Sequence, residues 1–275
     1  MNTLTFSLPN GEPVSRLGQG TYGLPPNSSD ALTTLRAGLD IGLNLIDTAE
    51  MYGTEPLVGK AIADCRDRVF VVSKVLPENA SYEGTIRACE ASLSRLNTDY
   101  LDLYLLHWLG PHPLEETVRA LVDLKAAGKI RHWGMSNLDV DKMEDVLSFP
   151  GGADCATDQV LYNLRDRGVE FDLIPWCAAH QMPVMAYTPL GSERTVLRHD
   201  AAVRRVARER GIAPTQVLLA WVMRHPNVVA IPKAGSVAHV QENAQSLQIT
   251  LTPQELSILD ESFPAPKRKI PLAGW

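Results

Sequence analysis

Eight short apolar runs, separated by stretches with helical periodicity, limit this chain more than any other feature of its sequence. The runs fall at residues 17–20, 43–46, 69–72, 101–106, 130–135, 155–160, 183–187 and 228–231. Several are almost unbroken Val, Ile and Leu, the pattern of parallel strands covered on both faces. Between them, Ile86, Cys89, Leu93 and Leu96 share one helical face. Leu114, Val118, Leu121 and Val122 share another, with Gly128 placed as a C-cap. Pro214 suits a first helical turn before Val217, Leu218 and Trp221. Thr252-Pro253-Gln254-Glu255 reads as a capping box. Strand–helix alternation repeated eight times, with no linker or break in composition, predicts an α/β fold. The expected architecture is a closed (β/α)8 barrel of the TIM type, in one domain over residues 1–275. A cap precedes the barrel. Leu4, Phe6 and Leu8 alternate, Pro9-Asn10-Gly11 turns, and a second short strand runs toward Leu17, which predicts a β-hairpin. Extra C-terminal helices follow the last strand. From Pro264 a proline-rich tail, ending at Trp275, is expected to lie as an extended flap.

Composition narrows the partners. The 26 basic and 32 acidic residues give a net charge of −6, and no basic run is longer than Lys267-Arg268-Lys269. Nucleic acid and an anionic membrane surface are therefore not expected as partners. No run approaches the ~18 apolar residues of a membrane-spanning helix. The N-terminus has no positive segment followed by an apolar one, so it does not read as a signal peptide. Cys65, Cys89, Cys155 and Cys177 are widely spaced with no C-x-x-C pair, which supports neither zinc nor a redox motif. They read as reduced residues in a reducing compartment, and the expected location is the cytoplasm. A monomer is the expected state.

Active sites of such barrels lie at the C-terminal ends of the strands. The polar residues ending the runs are Asp47, Lys74, His107, Ser136-Asn137, Gln159, Tyr187 and Pro232-Lys233. Taken singly, each is an ordinary loop residue. Seven consecutive strands ending in groups able to converge on one face is a stronger observation. Tyr52 follows Asp47 by five residues, in a loop that would fold over the barrel mouth. A phenol titrates near ~10, too high for a good acid at neutral pH. A nearby ammonium would lower that value, a carboxylate would keep the ammonium charged, and a histidine could orient a substrate oxygen. Together these groups would make a tuned general acid, with no metal required.

At these residues the chain resembles an aldo-keto reductase, over essentially its whole length. IDTAEMYGTEPLVGKAI carries Asp47 and Tyr52, VVSKV carries Lys74, LDLYLLHW carries His107, and GKIRHWGMSN carries Ser136 and Asn137. AIPKAGSVAHVQEN resembles the family's cofactor-phosphate signature. LNTDYLDLYLLHW, PWC and PVMAYTPL are similar in style to bacterial members that reduce methylglyoxal. The resemblance implies a catalytic tetrad of Asp47, Tyr52, Lys74 and His107, and reduction of small aldehydes or ketones with NADPH, NADH remaining possible. It implies that Ser136, Asn137 and Gln159 hydrogen-bond the nicotinamide carboxamide and that Tyr187 stacks on its ring. Lys233 and its neighbours Ile231, Ala234, Gly235 and Ser236 would hold the adenosine phosphate, with Glu242 and Asn243 at the adenine. Gly20, Thr21, Thr188 and Leu190 complete the expected cofactor contacts, and Tyr22 and Trp108 are expected walls of the substrate pocket. The chain departs from the family where His239 stands in place of a frequent arginine, which puts strict NADPH use in doubt. Thr188 replaces a frequent serine, and Tyr22 a frequent tryptophan. The loop after Leu190 reads as short.

Gly18-Gln19-Gly20-Thr21-Tyr22-Gly23 matches G-x-G-x-x-G, but Pro25-Pro26 interrupts where a dinucleotide fingerprint would open a helix. His112, His132, His180, His199 and His225 lack metal-ligand spacing, and Arg204, Arg205, Arg208 and Arg210 read as a solvated helix face. A cofactor-binding regulatory subunit with little turnover is the alternative function, opposed by the complete tetrad. A barrel hydrolase or isomerase would need paired carboxylates or a phosphate-binding glycine loop.

Overall fold

The computed structural model describes residues 5–8, 11–192 and 196–274. A two-stranded antiparallel hairpin opens the chain, β1 (Thr5–Ser7) with β2 (Pro13–Ser15). Eight parallel strands follow. They are β3 (Gln19–Gly20), β4 (Leu45–Asp47), β5 (Phe70–Val75), β6 (Leu101–Leu106), β7 (Ile130–Ser136), β8 (Cys155–Leu161), β9 (Val184–Tyr187) and β10 (Val228–Ile231). Each pairs with the next in sequence. The circle closes between β10 and the chain entering β3. Gly18 N–H donates to the Ala230 carbonyl at 2.8 Å, Ala230 N–H to Arg16 O at 2.9 Å, and Gly20 N–H to Pro232 O at 3.0 Å. Gly20 suits this close approach, because a Cβ would sit 3.0 Å from the Ile231 carbonyl and force the neighbouring backbone to give. The expected barrel and hairpin cap are therefore present. Leu4, Pro9, Asn10 and Trp275 lie outside the described residues.

The helices alternate with the strands as the periodicity predicts. α1 (Ser29–Asp40), α2 (Glu55–Ile62), α3 (Tyr82–Leu96), α4 (Leu114–Ala126), α5 (Val140–Ser148) and α6 (Leu173–Ala179) each follow one strand. Two helices, α7 (Ala201–Arg210) and α8 (Pro214–Val222), bridge β9 to β10, and α9 (Val237–Gln245) and α10 (Pro253–Ser262) close the chain. Side chains end several of them by accepting free backbone N–H groups: Ser28 for α1, Ser81 for α3, Asp200 for α7 and Thr252 for α10. Gly128, at φ +72°, follows α4 as expected. The tail runs extended, and the Lys269 ammonium fastens it to Asp139 (3.0 Å) and Asp172 (2.8 Å), beside the starts of α5 and α6.

Two apolar layers result. The larger lies between strands and helices. The smaller fills the barrel's lower interior, where Leu8 and Val14 of the hairpin meet Leu45, Phe70, Val72, Leu103, Leu105 and Met185. Going up the same strands, the interior turns polar at Asp47, Lys74 and His107. Strand ends differ from the sequence reading in a consistent direction: β4, β5, β7 and β8 each run one to three residues further, so Asp47, Lys74 and Ser136 are strand residues rather than loop residues. Parallel pairing continues past the apolar run wherever the neighbouring strand still offers partners, as in Lys74 with Leu105 and Ser136 with Gln159.

A bulge sets the facing of β8. Trp133 pairs with Cys155 but Met135 with Asp158, so β8 gains one residue against β7. The extra residue reverses the alternation. Ala156 and Gln159 face the barrel interior, and Asp158 is turned out of it. The Asp158 carboxyl is completely buried, and burial holds its pKa well above the usual carboxylate range, against the pull of the Leu138 and Gln159 amides. The folded chain thus keeps a proton that the unfolded chain releases near pH ~4. Stability is full below that pH and falls as pH rises toward the folded-state value. Asp158→Asn is expected to raise Tm at neutral pH, by about 2–4 °C per kcal/mol gained, with the gap to wild type vanishing near pH ~4; a calorimetric comparison at the two pH values checks this.

Candidate active site

Four elements bring the expected quartet together at the upper barrel. Asp47 ends β4, Lys74 lies near the end of β5, and His107 follows β6, its N–H bonded to the Val75 carbonyl at 3.0 Å. Tyr52 ends a 3-10 turn (Glu50–Tyr52) that β4 feeds directly, and Gly53 in the left-handed region (φ +68°) turns the chain back into α2. Lys74 has no solvent exposure. Its Nζ donates to Asp47 Oδ1 at 2.7 Å and to the Thr48 carbonyl at 2.8 Å. Gln159 Nε2 donates to the other Asp47 oxygen, Oδ2, at 2.8 Å. Both oxygens of Asp47 thus accept, which identifies it as the carboxylate partner of an ammonium. The Lys74 ammonium lies 5.1 Å from the centre of the Tyr52 ring, and Tyr52 Oη is 3.3 Å from His107 Nε2.

Electrostatics differ from the sequence expectation in one respect. The phenol of Tyr52 is not acidified in this structure: burial pushes its pKa above the usual value, and the Asp47 carboxylate, Tyr187 and Tyr22 add to the rise. The physical reason is the depth of burial, which Lys74 does not offset while two of its donors are spent on Asp47 and Thr48. Burial also lowers the pKa of Lys74, opposed by Asp47. His107 is lowered to about 3, by burial first and by the Lys74 charge second. Its ring is neutral across the physiological range.

Around the quartet the other expected residues fall into three groups. Asn137 and Ser136 form one polar string with Tyr187 and Gln159. Tyr187 Oη donates to Asn137 Oδ1 (2.8 Å), Asn137 Nδ2 to the His107 carbonyl (3.0 Å) and Ser136 Oγ (3.1 Å), and Ser136 Oγ to the Gln159 carbonyl (2.8 Å). Asn137 and Thr188 both hold left-handed backbone, at φ 62° and 52°, an uncommon conformation outside glycine that concentrates at functional sites. Asn163 Nδ2 bonds the Thr188 carbonyl at 3.2 Å, and Leu190 is half-buried beyond it. The second group follows β10: Ile231 is buried, Lys233 and Gly235 are exposed, Ala234 packs on the core, and Ser236 caps α9 by accepting the N–H of His239. His239 is exposed, Asn243 is buried, and a Glu242 oxygen accepts from the Thr215 hydroxyl. The third group is the rim. Tyr22, 54% exposed, packs edge-on against Tyr52 with centroids 5.1 Å apart. The Trp108 ring lies 4.6 Å from that of His107.

Two further expected residues are also bonded within the protein. The Thr21 N–H and hydroxyl both go to the Asp47 carbonyl, each at 3.0 Å, and Gly20 serves barrel closure. The sequence reading missed Thr48, whose carbonyl holds Lys74. A backbone acceptor leaves no mark in residue types, although its position next to Asp47 could have suggested it. A cleft of about 380 Å³ lies between the tail and residues 165–168, lined by Arg165, Arg167, Lys267 and Arg268 among others; none of the quartet lines it. Among the described residues no cluster of histidine, cysteine and carboxylate side chains could hold a metal ion.

A parallel barrel carrying a buried Lys–Asp pair beneath a Tyr–His contact at its C-terminal mouth is the arrangement of a barrel oxidoreductase. The chain belongs to the aldo/keto reductase family, whose model matches residues 16–263. It is similar to methylglyoxal reductase YeaE of Escherichia coli K12, 54% identical over 265 residues and covering 93% of each chain. It is also similar to glyoxal reductase of Bacillus subtilis 168, at 32% identity over 93% of this chain and 91% of that one. Among solved structures it matches an aldo-keto reductase from Klebsiella pneumoniae in complex with NADPH, with a TM-score of 0.96, 48% identity and full coverage of both chains.

The neutral state of His107 has a direct readout. Its imidazole ¹⁵N resonances are expected to stay at neutral-ring positions from pH ~8 down to ~5, far above the depressed value. A titration centred near ~6.5, the ordinary histidine value, would contradict the burial argument.

Proposed function

We propose that this chain reduces small aldehydes and ketones, including methylglyoxal-like 2-oxoaldehydes, to alcohols with NADPH. The observation that carries the reading is the buried Lys74–Asp47 pair set beneath a phenol that touches a neutral imidazole. The donor set fits the cofactor. Gln159 Oε1 accepts from no described residue and remains a ready acceptor for a carboxamide N–H, beside the Asn137 amide. Lys233 is an exposed cation at the end of β10, next to the start of α9, where phosphate is favoured. When bound, NADPH supplies the hydride that goes to the carbonyl carbon. Ser136, Asn137 and Gln159 would hold its carboxamide and Tyr187 its ring. Lys233, Ser236 and His239 would face its phosphate end, with Glu242 and Asn243 near the adenine.

Tyr52 then protonates the carbonyl oxygen. Its raised pKa keeps the proton on the phenol until charge develops on the substrate oxygen, which is when an acid is needed. Lys74 keeps one N–H beyond those given to Asp47 and Thr48, and this proton can stabilise the phenolate as it forms. His107, being neutral, offers Nε2 to the substrate oxygen without competing as an acid. Tyr22 and Trp108 would wall the pocket. The reading includes one barrel domain working as a monomer in a reducing compartment such as the cytoplasm, supported by four free thiols. No helix among the described residues is long and apolar enough to cross a membrane.

Tyr52→Phe is expected to lower kcat for methylglyoxal about 10²- to 10⁴-fold, the usual worth of a general acid, while NADPH binding measured by nicotinamide fluorescence stays at the wild-type level. Turnover at the wild-type rate would remove Tyr52 as the acid. His239→Arg should tighten NADPH by about tenfold and leave NADH unchanged, as expected of one added charge-assisted hydrogen bond. Equal affinities before and after the change would place cofactor choice elsewhere.

A further inference from the structure

Three threonines, Thr21, Thr48 and Thr54, are completely buried directly behind the Lys74–Asp47 pair. Their hydroxyls touch in a row. Thr54 Oγ1 is 2.9 Å from Thr21 Oγ1 and 2.9 Å from Thr48 Oγ1, and Thr21 Oγ1 is 3.0 Å from the Asp47 carbonyl. Each hydroxyl has one proton to give. A carbonyl cannot donate, so the Thr21 proton goes to Asp47. Thr54 must then donate to Thr21, or two bare oxygens would face each other. With the Thr54 proton spent, Thr48 must donate to Thr54. Only one direction of donation satisfies all three contacts: Thr48 to Thr54, Thr54 to Thr21, and Thr21 to the Asp47 carbonyl.

The two ends of this chain are the two residues that hold the Lys74 ammonium. Asp47 does so through its carboxylate and Thr48 through its carbonyl. The middle member, Thr54, stands two residues after Tyr52, and its own carbonyl accepts the N–H of Val58 in the first turn of α2 at 3.0 Å. One hydroxyl therefore connects the end of β4, the chain leaving β3, and the segment that carries the phenol. We propose that Thr54 is a positioning residue for proton donation: its hydroxyl fixes both acceptors of Lys74 relative to Tyr52, and so sets the approach of the ammonium to the phenol oxygen. This role rests on the reading of Tyr52 as the acid. A valine at position 54 has the same shape but neither accepts from Thr48 nor donates to Thr21. A buried hydroxyl then loses its partner, and Thr48 is free to rotate its carbonyl away from Lys74.

The test compares Thr54→Val, Thr54→Ser and Tyr52→Phe with wild type, using NADPH and methylglyoxal across pH. Thr54→Val is expected to lower kcat about tenfold to a hundredfold, the scale of an ångström-sized misplacement of reacting groups. It should also move the basic limb of kcat to higher pH, since a phenol further from the ammonium gives up its proton less readily. NADPH affinity by fluorescence should be unchanged, and Thr54→Ser, which keeps the hydroxyl, should restore both the rate and the limb. A lower kcat with an unmoved limb would overturn the proposal, as would a serine variant as impaired as the valine one. If Thr54→Val does not fold, Thr48→Val removes the first donor only. It should shift the limb in the same direction by a smaller amount, and an unmoved limb there also overturns the role. Undiminished turnover in Tyr52→Phe would remove the acid itself, and the positioning role with it.

Discussion

A single buried contact, the Lys74 ammonium 2.7 Å from a carboxylate oxygen of Asp47, is the constraint around which the barrel mouth is arranged. Removing two charges from water costs several kcal/mol per ion unless partners replace the lost hydration. The structure supplies them on every side. Asp47 accepts from Lys74 and Gln159, and its carbonyl accepts from Thr21. Lys74 also donates to Thr48. An ion pair so fully engaged is held in one geometry, which in the proposed reaction suits a charge acting on a neighbouring phenol.

The barrel makes the contact possible by its layering. Hairpin residues Leu8 and Val14 fill the lower interior with Leu45, Phe70 and Leu103, so water is excluded from below. Two positions beyond Leu45, Val72 and Leu105, side chains of the same facing are Asp47, Lys74 and, past β6, His107. The bulge between β7 and β8 adds Gln159 to this interior layer and displaces Asp158 into the helical layer. A strand without the bulge would have pointed Asp158 at Asp47 and left the pair without its amide donor. In the proposed reaction, this local irregularity decides which carboxylate the site contains.

Much of this was legible in the sequence. Eight apolar runs and their helical partners defined the barrel, because strands covered on both faces must be apolar throughout and helices on one face only. Asp47, Lys74 and His107 were found because each interrupts an apolar run at the strand end where barrel chemistry occurs. The remainder depends on geometry that residue types do not encode. Nothing in VVSKV distinguishes a lysine inside a strand from one just past it. The bulge at Cys155–Leu161 inserts a residue with no glycine or proline in β8 itself. The sign of the Tyr52 shift was also hidden, since it depends first on the depth of burial and then on the Asp47 carboxylate and its tyrosine neighbours. Thr48 acts through its carbonyl, and Thr54 through contacts with residues far away in sequence.

The central claim is that the Lys74 charge eases proton release from Tyr52 once the cofactor is in place. Titration of tyrosinate absorbance in protein saturated with NADP⁺, taken as the difference from Tyr52→Phe, isolates this one phenol, and bound ligand keeps a charge-deleted variant folded. The account predicts that Lys74→Met shifts the Tyr52 transition to higher pH than in wild type. A transition at the same pH in both proteins would contradict it.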